Sequence, residues 1–321
     1  MMKSKNKASD KILIYSICVI LLLYAVSMLI LLAWGFLTTL KSRDDFMFFQ
    51  NVLGFPNSEY SKDQLSFGNY SLVFKYFTVE NKVVFLQGGK EIIHKTNNNM
   101  FTMLINTVLY AGISAVLPTL ASLIVGYLCA KYKFKFSSFI YGLAIAMMVI
   151  PTIGSSASMI SMLRALGIYD TQFTHVLQKF AYAGMYYLVF LAFYQGLSDA
   201  YIEAAEIDGA SQMRVFISII IPLSMNIIAS VMLIHFVSAW NDYSTPLMYT
   251  PTLPTLSTGV YYFVNKTDYT DAKIPATARY EIIGTPAKCT ACMILAIPVI
   301  VVFILLRNKL MGNLSMGGVK E

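Results

Sequence analysis

Apolar positions in this chain come in long runs, not in the alternating or three-to-four spacing of half-buried elements. Residues 12–40 carry no charged side chain, and further runs occupy 102–130, 136–163, 176–197, 216–240 and 287–306. About 20 residues of helix cross the hydrocarbon of a bilayer, and the first run is long enough to span with a tilt. The pattern predicts an all-α polytopic membrane protein with six spanning helices. Pro118, Pro151 and Pro298 lie inside three of the runs, where each removes a backbone hydrogen bond and can bend its helix. Bends that serve a gate and ordinary packing kinks fit this pattern equally.

The segments between the runs set the expected organisation. Residues 1–11 form a lysine-rich tail with Lys3, Lys5, Lys7 and Lys11, and no small-residue cleavage site follows the first run, which reads as a retained anchor. Residues 41–101 are polar, with seven Lys or Arg and six Asp or Glu. The alternation around Val83, Val84, Phe85 and Leu86, closed by Gly88 and Gly89, is compatible with a hairpin. The connector 131–135 holds three lysines and the connector 164–175 one arginine. Basic residues in short loops stay inside, which places both termini and the polar segment 199–216 in the cytoplasm and the long 41–101 loop outside. The expected divisions are therefore a tail (1–11), a first span (12–40), an outer loop (41–101), a core (102–306) and a cytoplasmic tail (307–321).

With 57% apolar and 13% charged residues and a mean hydropathy of +0.61, the chain holds more apolar surface than one soluble core can hide. The net charge of +7 sits in the tail and loops, without a basic stripe interleaved with aromatics; lipid head groups answer it better than nucleic acid. Cys18, Cys129, Cys289 and Cys292 all lie in apolar runs, and with no second pair or nearby His they read as inert thiols, not metal ligands. No carboxylate falls near the middle of a span and the deepest ionisable group is His235, which argues against proton coupling. A phosphate-binding G-x-x-x-x-G-K-[ST] loop is absent, as is any catalytic constellation. The chain therefore reads as neither an enzyme nor an ATP binder; if ATP drives it, another polypeptide binds the ATP.

One stretch is too polar to cross a membrane. Asp199 can cap a short helix from Ala200 to Ile207, Gly209 can end it, and a second short helix can run through Arg214 toward Pro222. Ala204 and Ala205 allow close approach of another backbone, while Glu203, Glu206 and Asp208 offer acceptors to a basic partner. A docking plug and a solvated acidic loop both fit the composition. At the other end of the fifth run, Trp240, Asn241, Asp242 and Tyr243 suit either an interfacial aromatic belt or a sugar, whose C–H faces stack on rings while its hydroxyls need amide and carboxylate partners.

The spacing of the polar stretch decides between its two readings. Glu203-Ala204-Ala205, three residues, Gly209, nine residues, Ile219 and Pro222 resemble the EAA motif of ABC importer permeases, with Ile221 where that family has Leu. Phe67-Gly68-Asn69-Tyr70, Trp240-Asn241-Asp242 and Met316-Gly317-Gly318-Val319-Lys320 are similar to the carbohydrate branch of these permeases, the maltose-transporter type, in matching order along the chain. The loop around 78–99 has no counterpart in that pattern.

The resemblance implies a type I ABC importer permease fold in the bacterial plasma membrane, paired with a second permease, two cytoplasmic ATPase subunits and an extracellular sugar-binding protein. It implies coupling to the ATPase through Glu203, Ala204, Ala205, Glu206, Asp208, Gly209 and Arg214. The tail residues Gly317, Gly318, Val319 and Lys320 would reach the ATPase interface, and Tyr187, Trp240, Asn241 and Tyr243 would lie near the solute path. Import of a non-sugar solute, such as a glycerol phosphodiester or an amine, and a non-transporting scaffold remain the alternatives.

Overall fold

A computed structural model describes residues 7–48, 50–56, 67–87, 90–132, 136–150, 154–180, 184–265 and 274–311. In chain order these form α1 (Lys7–Thr39), α2 (Arg43–Met47), α3 (Gly68–Tyr76), strands β1 (Thr78–Gln87) and β2 (Lys90–Asn99), α4 (Met100–Lys131), α5 (Ser137–Val149), α6 (Ser155–Ala165), α7 (Gln172–Lys179) and α8 (Met185–Gly196). There follow α9 (Ala200–Ile207), α10 (Gln212–Val215), a π-helical segment (Phe216–Ile220), α11 (Ile221–Asn241), α12 (Ser244–Tyr249), α13 (Leu256–Asn265), α14 (Ala276–Ile283) and α15 (Thr285–Met311).

Among the described residues, four helices are long and apolar enough to cross a membrane: Lys11–Thr39, Met100–Lys131, Gln212–Asn241 and Thr285–Leu305. The expected spans at 136–163 and 176–197 are each two helices. α5 is followed by α6 and α7 by α8, and both second helices start from a glycine at positive φ, Gly154 (+81°) and Gly184 (+155°). Such backbone is open to glycine and ends a regular helix. Pro151 and the C-terminal residues Gly317, Gly318, Val319 and Lys320 lie outside the described residues.

The chain divides into two compact units. In the unit formed by Met1–Phe77 and Phe263–Ala296, the apolar stretch of α1 is unburied within the chain; such a surface must be covered by lipid or by another chain. Among the described residues, the end of α1 is fastened. Asn69 Nδ2 donates to the carbonyls of Thr39 (2.8 Å) and Lys41 (2.7 Å), satisfying groups that a helix C-terminus leaves open. Lys41 Nζ donates to the carbonyls of Asn51 and Val52, and burial lowers its pKa against the opposing charge of Asp45. Arg43 stacks on Tyr280 at 4.1 Å, and Tyr280 Oη donates to Asp44 at 2.6 Å, so α2 is bound to α14.

The second unit (Thr78–Tyr262, Ile297–Glu321) is built on α4, which packs against α7, α8 and α11. A Cβ on Gly126 would meet Phe190 Cβ at 3.0 Å and the Leu191 backbone nitrogen at 3.2 Å; the absent side chain is what lets α4 and α8 approach. Two buried hydroxyls on these helices donate to carbonyls one turn back, Thr107 to Met103 and Ser224 to Ile220.

The 41–101 loop, expected only as polar chain with a hairpin, contains α2, α3 and the hairpin itself. β1 and β2 pair antiparallel from Thr78↔Asn99 to Gln87↔Lys90. The hairpin base is tied to the segment before α13: Asn81 Nδ2 donates to the Pro251 carbonyl and Asn98 Nδ2 to that of Thr252 (3.1 Å). Asn106 Nδ2 donates to the Pro254 carbonyl at 3.2 Å.

Candidate functional site

The polar stretch folds as the helix-turn-helix knob its composition suggests. α9 covers Ala200–Ile207, Gly209 turns at φ +79° with open space where a Cβ would stand, and α10 begins at Gln212. Gly209 is thus required by its backbone angle and not by crowding. Asp199 does not cap α9, a correction to the expected role: its own backbone is helical and no side-chain cap bond forms. Its carboxylate instead takes the Lys131 ammonium at 2.6 Å, and Lys131 also donates to the Leu197 carbonyl at 2.5 Å. The cation at the end of α4 answers both an acid and an open helix-end carbonyl, and that outcompetes a local cap.

Two more bonds knit the knob. Tyr132 Oη donates to Gln212 Oε1 at 2.5 Å, and Gln212 Nε2 donates to Glu206 Oε1. Ala205 is 7% exposed and belongs to a buried cluster with Tyr127, Phe190, Tyr194, Val215 and Ile220. Of the expected coupling residues, Glu203, Ala204, Glu206, Asp208, Gly209 and Arg214 are therefore outward, while Ala205 faces its own chain. Its small side chain lets α9 lie against the ends of α4 and α11.

The outward face is also apolar in a way the charge pattern hides. Ile207 is 87% exposed, and Tyr201 on the same helix and Met213 on α10 are exposed as well. An isoleucine at the end of an acidic helix is the available sign. Exposed apolar side chains among carboxylates suit the docking of another protein.

From α10 the chain runs without a break into the long helix ending at Asn241, through the π-helical Phe216–Ile220. Pro222 explains the widened turn, since a proline lacks the N–H and its ring would press on the Ser218 carbonyl in a regular helix. Tyr127 packs on Phe216 at 4.9 Å and edge-on to Tyr194 at 5.5 Å, and Tyr194 Oη donates to Ser224. The knob is thus packed, side chain on side chain, against α4, α8 and α11.

At the far end of α11 the expected solute-path residues separate. Trp240 is 3% exposed and packs on Phe236, and Tyr187 is wholly buried beside Ala144 and Leu191. Asn241 and Tyr243 are exposed. Asp242, the first residue past the helix, takes hydrogen bonds from Tyr110 Oη (2.7 Å), the backbone of Ser244 (3.0 Å) and that of Thr245 (3.1 Å). Burial alone would raise its pKa, but bonds from Thr245 and Tyr110 and the nearby Lys179 ammonium outweigh it and hold the carboxyl below its ordinary range. His175 is buried against the Tyr110 ring at 4.5 Å with Nε2 3.2 Å from Thr250 Oγ1. Among the described residues no group of three or more His, Cys, Asp or Glu could hold a metal.

The chain is similar to known transporters over most of its length. The melibiose/raffinose/stachyose import permease protein MelC of Bacillus subtilis (strain 168) is 26% identical over 223 residues, 67% of this chain and 75% of that protein. The maltose/maltodextrin transport system permease protein MalG of Vibrio parahaemolyticus serotype O3:K6 (strain RIMD 2210633) is 25% identical over 229 residues, 69% and 73% of the two chains. A chain in the crystal structure of a bacterial ABC transporter involved in the import of alginate shares the fold, with a TM-score of 0.63 at 18% identity over 95% of this chain and 99% of that one. The model of the binding-protein-dependent transport system inner membrane component matches residues 122–315, the knob and α11 included. A knob fused to a membrane helix, on a chain that matches this model over more than half its length, is thus a permease subunit: the protein belongs to the family of binding-protein-dependent transport system inner membrane components.

Proposed function

We propose that this chain is one of two permease subunits of an ATP-driven importer of a sugar or oligosaccharide in the bacterial plasma membrane. In this reading it crosses the membrane six times with both termini inside, two crossings being made by α5 with α6 and α7 with α8. The bare apolar flank of α1 is covered by lipid or the second permease. Solute delivered by an extracellular binding protein passes between the permeases, and two cytoplasmic ATPase subunits bind the ATP and Mg.

The observation that carries the reading is the knob itself: exposed Glu203, Asp208, Ile207 and Met213 stand on a body anchored through Lys131 and Ala205 and continuous with α11. Closure of the ATPases would push on this face, and the packed junction at Tyr127, Phe216 and Tyr194 would carry the push into the spans. The tail residues Gly317 to Lys320 add a second contact with the ATPase. Sugar as cargo is supported by the import functions named for the relatives MelC and MalG.

The test is purification of the assembled complex followed by reconstitution with its binding protein and a panel of solutes. An ATPase and a second permease should co-purify, and a sugar should stimulate ATP hydrolysis. Purification with neither partner favours a scaffold. Stimulation by a glycerol phosphodiester or an amine, and by no sugar, moves the cargo to that class.

A further inference from the structure

The β1–β2 hairpin lies before residues 122–315, the part of the chain that matches the permease family model, so the shared core does not account for it. It is nevertheless built in firmly. β2 ends at Asn99 and α4 begins at Met100, and Asn99 Oδ1 accepts from the Thr102 N–H at 2.9 Å, so the sheet continues directly from the end of a long apolar helix. Asn81 Nδ2 and Asn98 Nδ2 hold its base to the Pro251 and Thr252 carbonyls. Strands of ten residues each extend about 30 Å.

Near its base the ladder alternates as a hairpin covered on one side must. Val79 and Asn98 are buried, at 5% and 9% exposure, while Thr78, Glu80, Asn97 and Asn99 are exposed. A period of two carries that outer face along the register to Lys82↔Lys95, then to Val84↔Ile93, then to Leu86↔Glu91. The outer face therefore changes character, from polar at the base to doubly cationic and then to largely apolar. Two lysines directly opposite each other repel, and a carboxylate set against them removes that repulsion. Apolar positions on the same face gain stability once another surface covers them.

We propose that the outer face of the hairpin docks the extracellular solute-binding protein, with Val84, Leu86 and Ile93 set against an apolar hollow and Lys82 and Lys95 astride a carboxylate of that protein. The docking rests on the reading of the chain as an importer permease fed by such a protein from outside, and adds to it a contact that the shared permease core does not supply. A lipid surface is the poorer occupant. Among the described residues the sheet has two strands, so each carries an edge of unpaired N–H and C=O groups, which hydrocarbon cannot satisfy and a protein can. Glu91, across the ladder from Leu86, would also have to leave water. A cationic pair beside the apolar patch speeds encounter with an acidic partner, and salt screens that attraction.

The experiment uses the whole importer in nanodiscs and the solute-loaded binding protein that stimulates its ATP hydrolysis. Ile93→Asp, and Lys82→Glu combined with Lys95→Glu, should each raise the Kd for that protein about tenfold, as for a contributing interface residue. Hydrolysis without the binding protein and co-purification of the ATPase and second permease should stay at the wild-type level. A third variant keeps the tied base: replacing residues 84–93 by Asn-Gly closes the ladder at Val83↔His94 with a two-residue turn, and should show the same loss. Added salt should weaken binding to the wild type more than to the double Glu variant. A wild-type Kd in all three variants overturns the docking while leaving the importer reading intact. A loss explained wholly by release of the second permease or by a lower melting temperature also overturns it, and assigns the hairpin to assembly. Should no binding protein stimulate the wild type, the importer reading falls and the docking with it.

Discussion

The Lys131 ammonium sits 2.6 Å from Asp199 Oδ1, joining the last turn of α4 to the residue that precedes the knob. Lys131 is largely buried and Asp199 is 71% exposed, so water weakens the pair. Its value lies more in position than in energy. A double-mutant cycle with Lys131→Met and Asp199→Asn should give a coupling of at most about 1 kcal/mol in thermal stability. Solute-stimulated ATP hydrolysis should fall more than stability does, because the knob loses its tie to α4. Equal and negligible effects on both would show that the tie does no mechanical work.

The knob's outer face can be separated from its inner one by mutation. Glu203→Lys reverses a charge on the docking face and should weaken ATPase association by about 1 to 3 kcal/mol, as expected for a charge-assisted contact, with the permease itself intact. Ile207→Asp removes the exposed apolar centre and should act in the same direction. Ala205→Leu should instead destabilise the permease by about 1 to 3 kcal/mol, because it overfills the cluster at Tyr194 and Val215. The three are distinguished by measuring ATPase co-purification beside the melting temperature of the permease alone. Loss of association without loss of stability in Ala205→Leu would contradict its inward placement.

The knob is legible in the sequence because its signals are local: an acidic helix, a glycine for the left-handed turn and a proline thirteen residues on. Asp199 reads as a cap from its neighbours alone, because Lys131, which claims it, lies 68 residues away in sequence. The breaks at Gly154 and Gly184 hide inside apolar runs, where hydropathy records composition and not backbone angle. Trp240 illustrates a similar blindness, since a belt tryptophan and a buried one sit in the same apolar surroundings. The stack of Tyr243 on Tyr261, 4.7 Å between ring centroids, is half visible: Tyr243 stands out beside Asn241, but Tyr261 joins it through the turn that Ser257 and Thr258 bind.

Close approach of α4 and α8 depends on one hydrogen atom. Gly126→Val would place Cβ 3.0 Å from Phe190 Cβ and 3.2 Å from a backbone nitrogen that cannot step aside. The helices must part, and lipid gives no hydrophobic force to hold them together. Thermal stability in detergent should fall by about 1 to 3 kcal/mol, with Gly126→Ala showing a smaller loss in the same direction. An unchanged melting temperature in Gly126→Val would mean that the two helices are not in close contact.

Asp242 links stability to pH. Burial pushes its pKa up, but the bonds from Thr245 and Tyr110 and the charge of Lys179 more than offset this and hold the carboxyl below its ordinary 3.8. A carboxyl that is more acidic in the folded chain than in the unfolded one binds fewer protons there. Its contribution is therefore complete above the ordinary value and is lost as pH falls through the lower, folded one. Tyr110→Phe removes a donor that lies 2.7 Å from the carboxylate and should cost about 1.5 to 3 kcal/mol at pH 7, as for a hydrogen bond to a charged group. Once the carboxyl is protonated the same bond joins two neutral groups and is weaker, so the gap between wild type and Tyr110→Phe should narrow toward pH 3. Melting temperatures of the two proteins in detergent, followed from pH 7 down to pH 3, check both statements. A gap that stays constant over that range would mean that the Tyr110 hydroxyl does not stabilise the charged form of Asp242.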